Sequence, residues 1–103
     1  LYTSGTTAAP KGVVGTHLAV QLESLTVVVD MELRRRDRVL CMMPMFHTAQ
    51  PNAFCTPSVT AGATMVLLRA FEAARVLDLV ERELLSVIFR LPMMYRALVA
   101  AQR

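Results

Sequence analysis

The run "RVLCMMPMF" constrains this chain most. Val39 to Met43 is unbroken apolar sequence, bounded by the charged stretch "RRRDR" on one side and Pro44 on the other. A strand with one wet face alternates apolar and polar residues. A run with no alternation belongs to a strand covered on both faces, as parallel strands between helices are. Two more short apolar runs follow, Ala63–Arg69 and Ser86–Leu91. Strands therefore start about every 25 residues, with an amphipathic stretch after each, which is the spacing that βαβ crossovers need. The expected class is α/β: alternating βαβ units forming part of a mostly parallel layered sheet with flanking helices.

The helical stretches have their own signatures. Leu18, Leu22, Leu25, Val29 and Leu33 fall at steps of three and four and predict one buried face of a helix capped by Thr16. Asn52–Ala61 is expected to be helical with Gly62 as its stop. In "FEAARVLDLVERELL", Ala73, Val76, Leu77, Val80 and Leu84 share a face, and Asp78 and Arg82 form an i,i+4 pair. Pro92 opens a last helix carrying Met94, Leu98 and Ala101 on one side. Lys11–Gly15 reads as a further strand.

At 103 residues the chain holds one domain at most. Its apolar content is 54%, above the roughly 45–50% of an average soluble domain. With no initiating Met, an abrupt start in "LYT" and a helix still running at Arg103, it is expected to be part of a longer protein. The net charge of +3 is modest. Arg34–Arg38 is read as a solvated helix end, and no aromatic residues interleave with it as nucleic-acid binding would require. Cys41 and Cys55 lack C-x-x-C spacing and read as buried free thiols in a reducing compartment. No apolar run reaches the roughly 18–20 residues of a membrane span. The expected location is cytoplasmic, with peripheral membrane association as the alternative.

Chemistry concentrates in two places. "TSGTTAAPK", Thr3 to Lys11, carries four hydroxyls, a Gly and a Lys. Rotatable hydroxyls, backbone N–H groups of a tight turn and a point charge are what a phosphate chain needs. It is not a Walker loop, because Ala9-Pro10 precede Lys11 and Gly12 follows it. Composition alone leaves a phosphate loop and a polar turn with a solvated lysine equally open. The second place is Met45–Pro51, after the Val39–Met43 strand. Parallel sheets put ligand sites at carboxyl ends of strands, and this loop carries His47. With only His17 elsewhere and no acid or Cys at ligand spacing, no zinc site is expected. His17, at a helix start, reads as structural. Met42, Met43, Met45, Met93 and Met94 read mostly as core filler, with Met45 near the pocket.

"YTSGTTAAPKGV" resembles the phosphate-loop signature of the adenylate-forming enzymes, the superfamily of acyl-CoA synthetases, peptide-synthetase adenylation domains and beetle luciferases. "PMFHTA", Pro44–Ala49, resembles that family's aromatic–His motif at the right distance, and the sequence from Gly62 to Leu98 resembles fatty acyl-CoA ligases. The likeness covers the whole chain and implies a partial N-terminal AMP-binding domain over residues 1–103, with a phosphate loop at 2–12 and an aromatic–His loop at 44–50. It further implies that Thr3, Ser4, Gly5, Thr6 and Thr7 wrap the ATP phosphates, that Lys11 neutralises them, and that Thr7 approaches Mg²⁺. Phe46 and His47 would line the junction of the acyl pocket and the CoA tunnel. The implied activity is ATP-dependent conversion of a carboxylic acid, of fatty type, to acyl-AMP and then acyl-CoA. The expected catalytic residues are Lys11, Thr7 and His47; the partners are acid, ATP and CoA, and no nucleic acid. The alternatives are a peptide-synthetase adenylation domain or a non-catalytic nucleotide- or acyl-binding remnant. The remnant reading rests on Ala8, which stands where the family has Gly. If that Gly is left-handed, Ala costs on the order of 1–2 kcal/mol.

Overall fold

A computed structural model describes residues 1–3 and 9–103. The centre of the fold is β3 (Arg38–Cys41), which pairs in parallel with β4 (Thr64–Leu67) and β5 (Val87–Ile88) in the order β4-β3-β5. Val39 stands opposite Met65 on one side and Val87 on the other. The unbroken apolar run is explained by the layers. Leu40 and Met42 point to one face, where they pack with Val76 of α3 (Ala73–Arg82) and Leu98 of α4 (Pro92–Gln102). Val39 and Cys41 point to the other, against Leu33, Val28 and Phe54. That face is covered by α1 (His17–Asp30) and by a π-helical turn, Pro51–Cys55, that runs into α2 (Thr56–Ala61). The expected helix–sheet–helix architecture is therefore present.

The remaining two strands stand apart. β1 (Tyr2–Thr3) and β2 (Lys11–Gly12) pair with each other, antiparallel, with Tyr2 opposite Gly12 and Thr3 opposite Lys11. The expected strand at Lys11–Gly15 is shorter, and the opening loop joins a hairpin instead of following a parallel strand. At Gly12 a Cβ would lie 3.3 Å from the Tyr2 ring, so a larger residue would need that exposed ring to shift by a few tenths of an ångström.

Helix ends follow local chemistry. Thr16 Oγ1 accepts the Ala19 N–H at 3.1 Å and starts α1. Gly62 ends α2 at φ 71°, a left-handed conformation that glycine adopts without a steric penalty. Arg82 Nη1 reaches Asp78 Oδ2 at 3.2 Å, as the spacing predicts.

Three expectations fail in instructive ways. The Leu18, Leu22, Leu25 and Val29 stripe of α1 does share a face, but that face is exposed; Val29 is 73% accessible. The helix instead turns buried Ser24 towards α2, where its hydroxyl donates to Thr56 Oγ1 at 3.0 Å. Leu84 lies beyond α3, exposed at φ 51°, and Leu85 packs against the core in its place. The Arg34–Arg38 run is a turn between α1 and β3, not a helix end. There the Asp37 carboxylate accepts the Arg34 N–H at 2.6 Å and the Ser86 hydroxyl at 2.9 Å, while Arg38 pairs with Glu83 at 2.6 Å. The turn thus ties the start of β3 to the start of β5.

Two stability predictions follow from these ends. Gly62→Ala forces a side chain into the left-handed region without a clash, since Arg35 Cγ would be 3.6 Å away. A loss of about 1 kcal/mol is expected in urea unfolding. The hydrogen bonds from Arg34 N–H and Ser86 hold the Asp37 carboxyl below its ordinary value of 3.8. A depressed carboxyl stabilises the fold above its unfolded value, and the contribution disappears as pH falls through the folded value. Asp37→Asn should therefore unfold earlier than the parent at neutral pH, with the gap closing as the pH is taken below 3.8.

Candidate functional site

The β1–β2 hairpin, the start of α1 and the loop after β3 border an open cavity of about 730 Å³. Its walls include Thr3 from the hairpin, Thr16 and His17 from the helix start, and Phe46, His47 and Thr48 from the loop. Thr3 from the first stretch singled out in the sequence and Phe46 to Thr48 from the second, more than forty residues away, thus border one space.

Each wall is positioned by backbone bonds. The Val13 N–H donates to Leu1 O at 2.8 Å, and the Thr3 hydroxyl donates to Lys11 O at 3.4 Å. The loop turns back on itself where the His47 N–H meets Pro44 O at 3.2 Å. His47 Nδ1 accepts the Ala49 N–H at 3.2 Å. A neutral imidazole whose Nδ1 accepts carries its proton on Nε2, so His47 offers an N–H donor from its other nitrogen. Asn52 Nδ2 donates to Thr48 Oγ1 at 2.9 Å, ordering the loop's exit. The start of α1 adds the partial positive charge of unpaired helix N–H groups beside Thr16 and His17. Hydroxyls, an imidazole N–H and a helix N-terminus together suit an anionic ligand, and Phe46 supplies an aromatic surface next to them.

Of the residues expected at the site, Thr3, Phe46 and His47 come together on the cavity wall. Lys11 pairs with Thr3 across the hairpin but lies exposed and outside the lining. Ser4, Gly5, Thr6 and Thr7, and with them Ala8, lie outside the described residues. Tyr2, Thr16, His17, Thr48 and Asn52 were not singled out as site residues, and they line the cavity too. The signal for His17 was its place directly after an N-cap, where a side chain flanks whatever the helix start faces. Met45 is exposed and absent from the lining, contrary to expectation, and Met42 and Met94 serve the core. Among the described residues no three His, Cys, Asp or Glu side chains converge as a metal site. A Mg²⁺ there would have to arrive with phosphate oxygens, which fits a hydroxyl-rich wall; Thr7, the residue expected to approach it, is outside the described residues.

Behind the loop, Cys55 Sγ lies 3.7 Å from Cys41 Sγ, and both are free thiols. Burial, reinforced by the neighbouring Cys55, pushes the Cys41 thiol up to about 12 from its ordinary 9.0. Only thiolates alkylate at useful rates, so iodoacetamide at about pH 8 should leave Cys41 unmodified in the folded protein and label it after unfolding in urea. Native-state labelling of Cys41, read by peptide mass spectrometry, would contradict the buried environment.

A family model described as AMP-binding enzyme matches residues 1–103. The chain belongs to the AMP-binding enzyme family. It is 37% identical to a feruloyl-CoA synthase of Amycolatopsis over 103 residues, covering all of this chain and 21% of that protein. It is 35% identical to 4-coumarate–CoA ligase 3 of Arabidopsis thaliana over 102 residues, covering 94% of this chain and 18% of the ligase. Among solved structures it superposes on the O-succinylbenzoate coenzyme A synthetase of Bacillus subtilis in complex with AMP. That match has a TM-score of 0.87 and 30% identity, and covers all of this chain and 27% of that one. The chain spans about a fifth of the length of the curated relatives it matches.

Proposed function

We propose that this chain is the phosphate-loop part of an ATP-dependent acid–CoA ligase. A substrate carboxylate attacks the α-phosphorus of ATP and pyrophosphate leaves. The thiol of CoA then attacks the acyl carbon of the adenylate, and AMP leaves. The observation that carries this reading is the meeting of Thr3, at the mouth of the Thr3–Lys11 segment, with Phe46 and His47 on one cavity. Phosphate and acid would there be held side by side, so positioning and charge stabilisation dominate the catalysis. In this reading the hydroxyls of Thr3, Ser4, Thr6 and Thr7, with Gly5, surround the phosphates. Lys11 neutralises them from the hairpin, and Thr7 is the residue that would hold a Mg²⁺, which would supply further charge neutralisation to the phosphates. His47 donates from Nε2 to the acid or to the adenylate, beside Phe46. A cytoplasmic location suits the two free thiols.

The acid is proposed to be an aryl carboxylic acid in place of the fatty acid expected from the sequence. The supporting observations are the feruloyl-, indoleacetate- and 4-coumarate enzymes among the relatives, which also include crotonobetaine/carnitine–CoA ligases, and the cavity wall itself. The wall mixes Tyr2 and Phe46 with hydroxyl and imidazole groups, and none of the chain's methionines is part of it. Lys11→Ala in the whole protein should lower ATP–pyrophosphate exchange by at least about tenfold, the usual scale for losing one preorganised charge contact. The same assay with hydroxycinnamic acids and with medium- and long-chain fatty acids should favour the aryl acids. Unchanged exchange in Lys11→Ala would remove the phosphate-loop assignment.

A further inference from the structure

Gln50 is fully buried, yet it lines no part of the cavity. A buried primary amide is costly unless both of its ends find partners. Gln50 Oε1 accepts the Met43 N–H at 3.0 Å, and Nε2 lies 3.8 Å from Cys55 Sγ. These partners sit at particular places. Met43 is two residues past Cys41, the last paired residue of β3, where no strand accepts its N–H. Cys55 is the last residue of the π-helical turn and touches Cys41 on β3. The loop between Met43 and Gln50 carries Phe46 and His47. Pro44 to Thr48 are exposed, with two internal turn bonds and with Asn52 donating to Thr48 at the exit, so Gln50 is the loop's buried tie. Gln50 is therefore the internal cross-tie between the strand from which this loop departs and the turn into which it returns.

We propose that Gln50 is a positioning residue for His47. Its amide fixes the separation of the loop's two ends, and so the direction in which His47 presents Nε2–H to the cavity. It touches neither acid nor nucleotide. This inference rests on the acid–CoA ligase reading of the cavity and assigns Gln50 its part in that site.

The test is Gln50→Met in the whole protein, which keeps side-chain length and removes both hydrogen-bonding ends. Acid-dependent ATP–pyrophosphate exchange should lose on the order of tenfold to a hundredfold in kcat/KM for the acid, with KM for ATP unchanged, as expected for a misplaced reacting partner. In a His47→Ala background the same substitution should cost nothing further, because residues acting through one another are not additive. A loss of equal size in both backgrounds, or no loss in the parent, overturns the proposal. The His47 ring 15N–1H spectrum gives a readout independent of turnover. The parent should show one tautomer with the proton on Nε2, and Gln50→Met should show a mixture; an unchanged ring spectrum overturns the proposal. If the parent shows no exchange at all, the ligase reading fails, and the ring spectrum alone decides whether Gln50 orients His47. Should Gln50→Met fail to fold, Gln50→Asn, which keeps the amide but shortens its reach, takes its place in both measurements.

Discussion

Everything in this fold depends on burying β3 from both sides. Val39 and Leu40 are wholly inaccessible, and they point in opposite directions. Fully burying one such aliphatic side chain contributes about 1.5–3 kcal/mol. Four consecutive buried or nearly buried residues, Val39 to Met42, therefore dominate the local energetics. The sheet edges, the two helical layers and the turn at Arg34–Arg38 are arranged so that this strand meets no water. Its carboxyl end is where the burial stops, and the chain there has to leave the sheet at Pro44. That departure creates the loop bearing Phe46 and His47.

The cavity arises because two unlike devices converge on that exit. One is a parallel strand end, which leaves polar backbone and a loop at the edge of the sheet. The other is a short antiparallel hairpin, held by Tyr2–Gly12 and Thr3–Lys11 pairing, that brings Tyr2 and Thr3 to the cavity from outside the sheet. The start of α1 closes the gap between them. The helix start is fixed by its own backbone bonds, while the loop depends on side-chain bonds such as those of Gln50 and Asn52.

Much of this was legible in the residues. The unbroken run at Val39–Met43, the N-cap at Thr16, the stop at Gly62, the Pro92 start and the Asp78–Arg82 pair all appear where local chemistry put them. The family was legible too, from "YTSGTTAAPKGV" and "PMFHTA". What misled was periodicity taken as burial. The Leu18–Val29 stripe states which residues share a face of α1, but not which face meets the sheet. The close contact between α1 and α2 runs through small Ser24 and Thr56, whose hydroxyl pair satisfies itself at the interface. Similarly, the charges of Arg34–Arg38 suited a helix end by composition, but Asp37 and Arg38 have partners at Ser86 and Glu83, nearly fifty residues away.

The sequence by itself determined the element types, the parallel core strand and the two motifs that define the family. These depend on spacing and on side-chain chemistry within a few residues. Only the tertiary structure decided that Thr3, His17, Phe46 and His47 share a cavity, that Lys11 lies exposed outside its lining, and that Gln50 is buried and lines no part of it. The reason is physical: a cavity wall and a buried cross-tie are products of packing between segments distant in the chain. No local propensity encodes the distance between a hairpin and a loop.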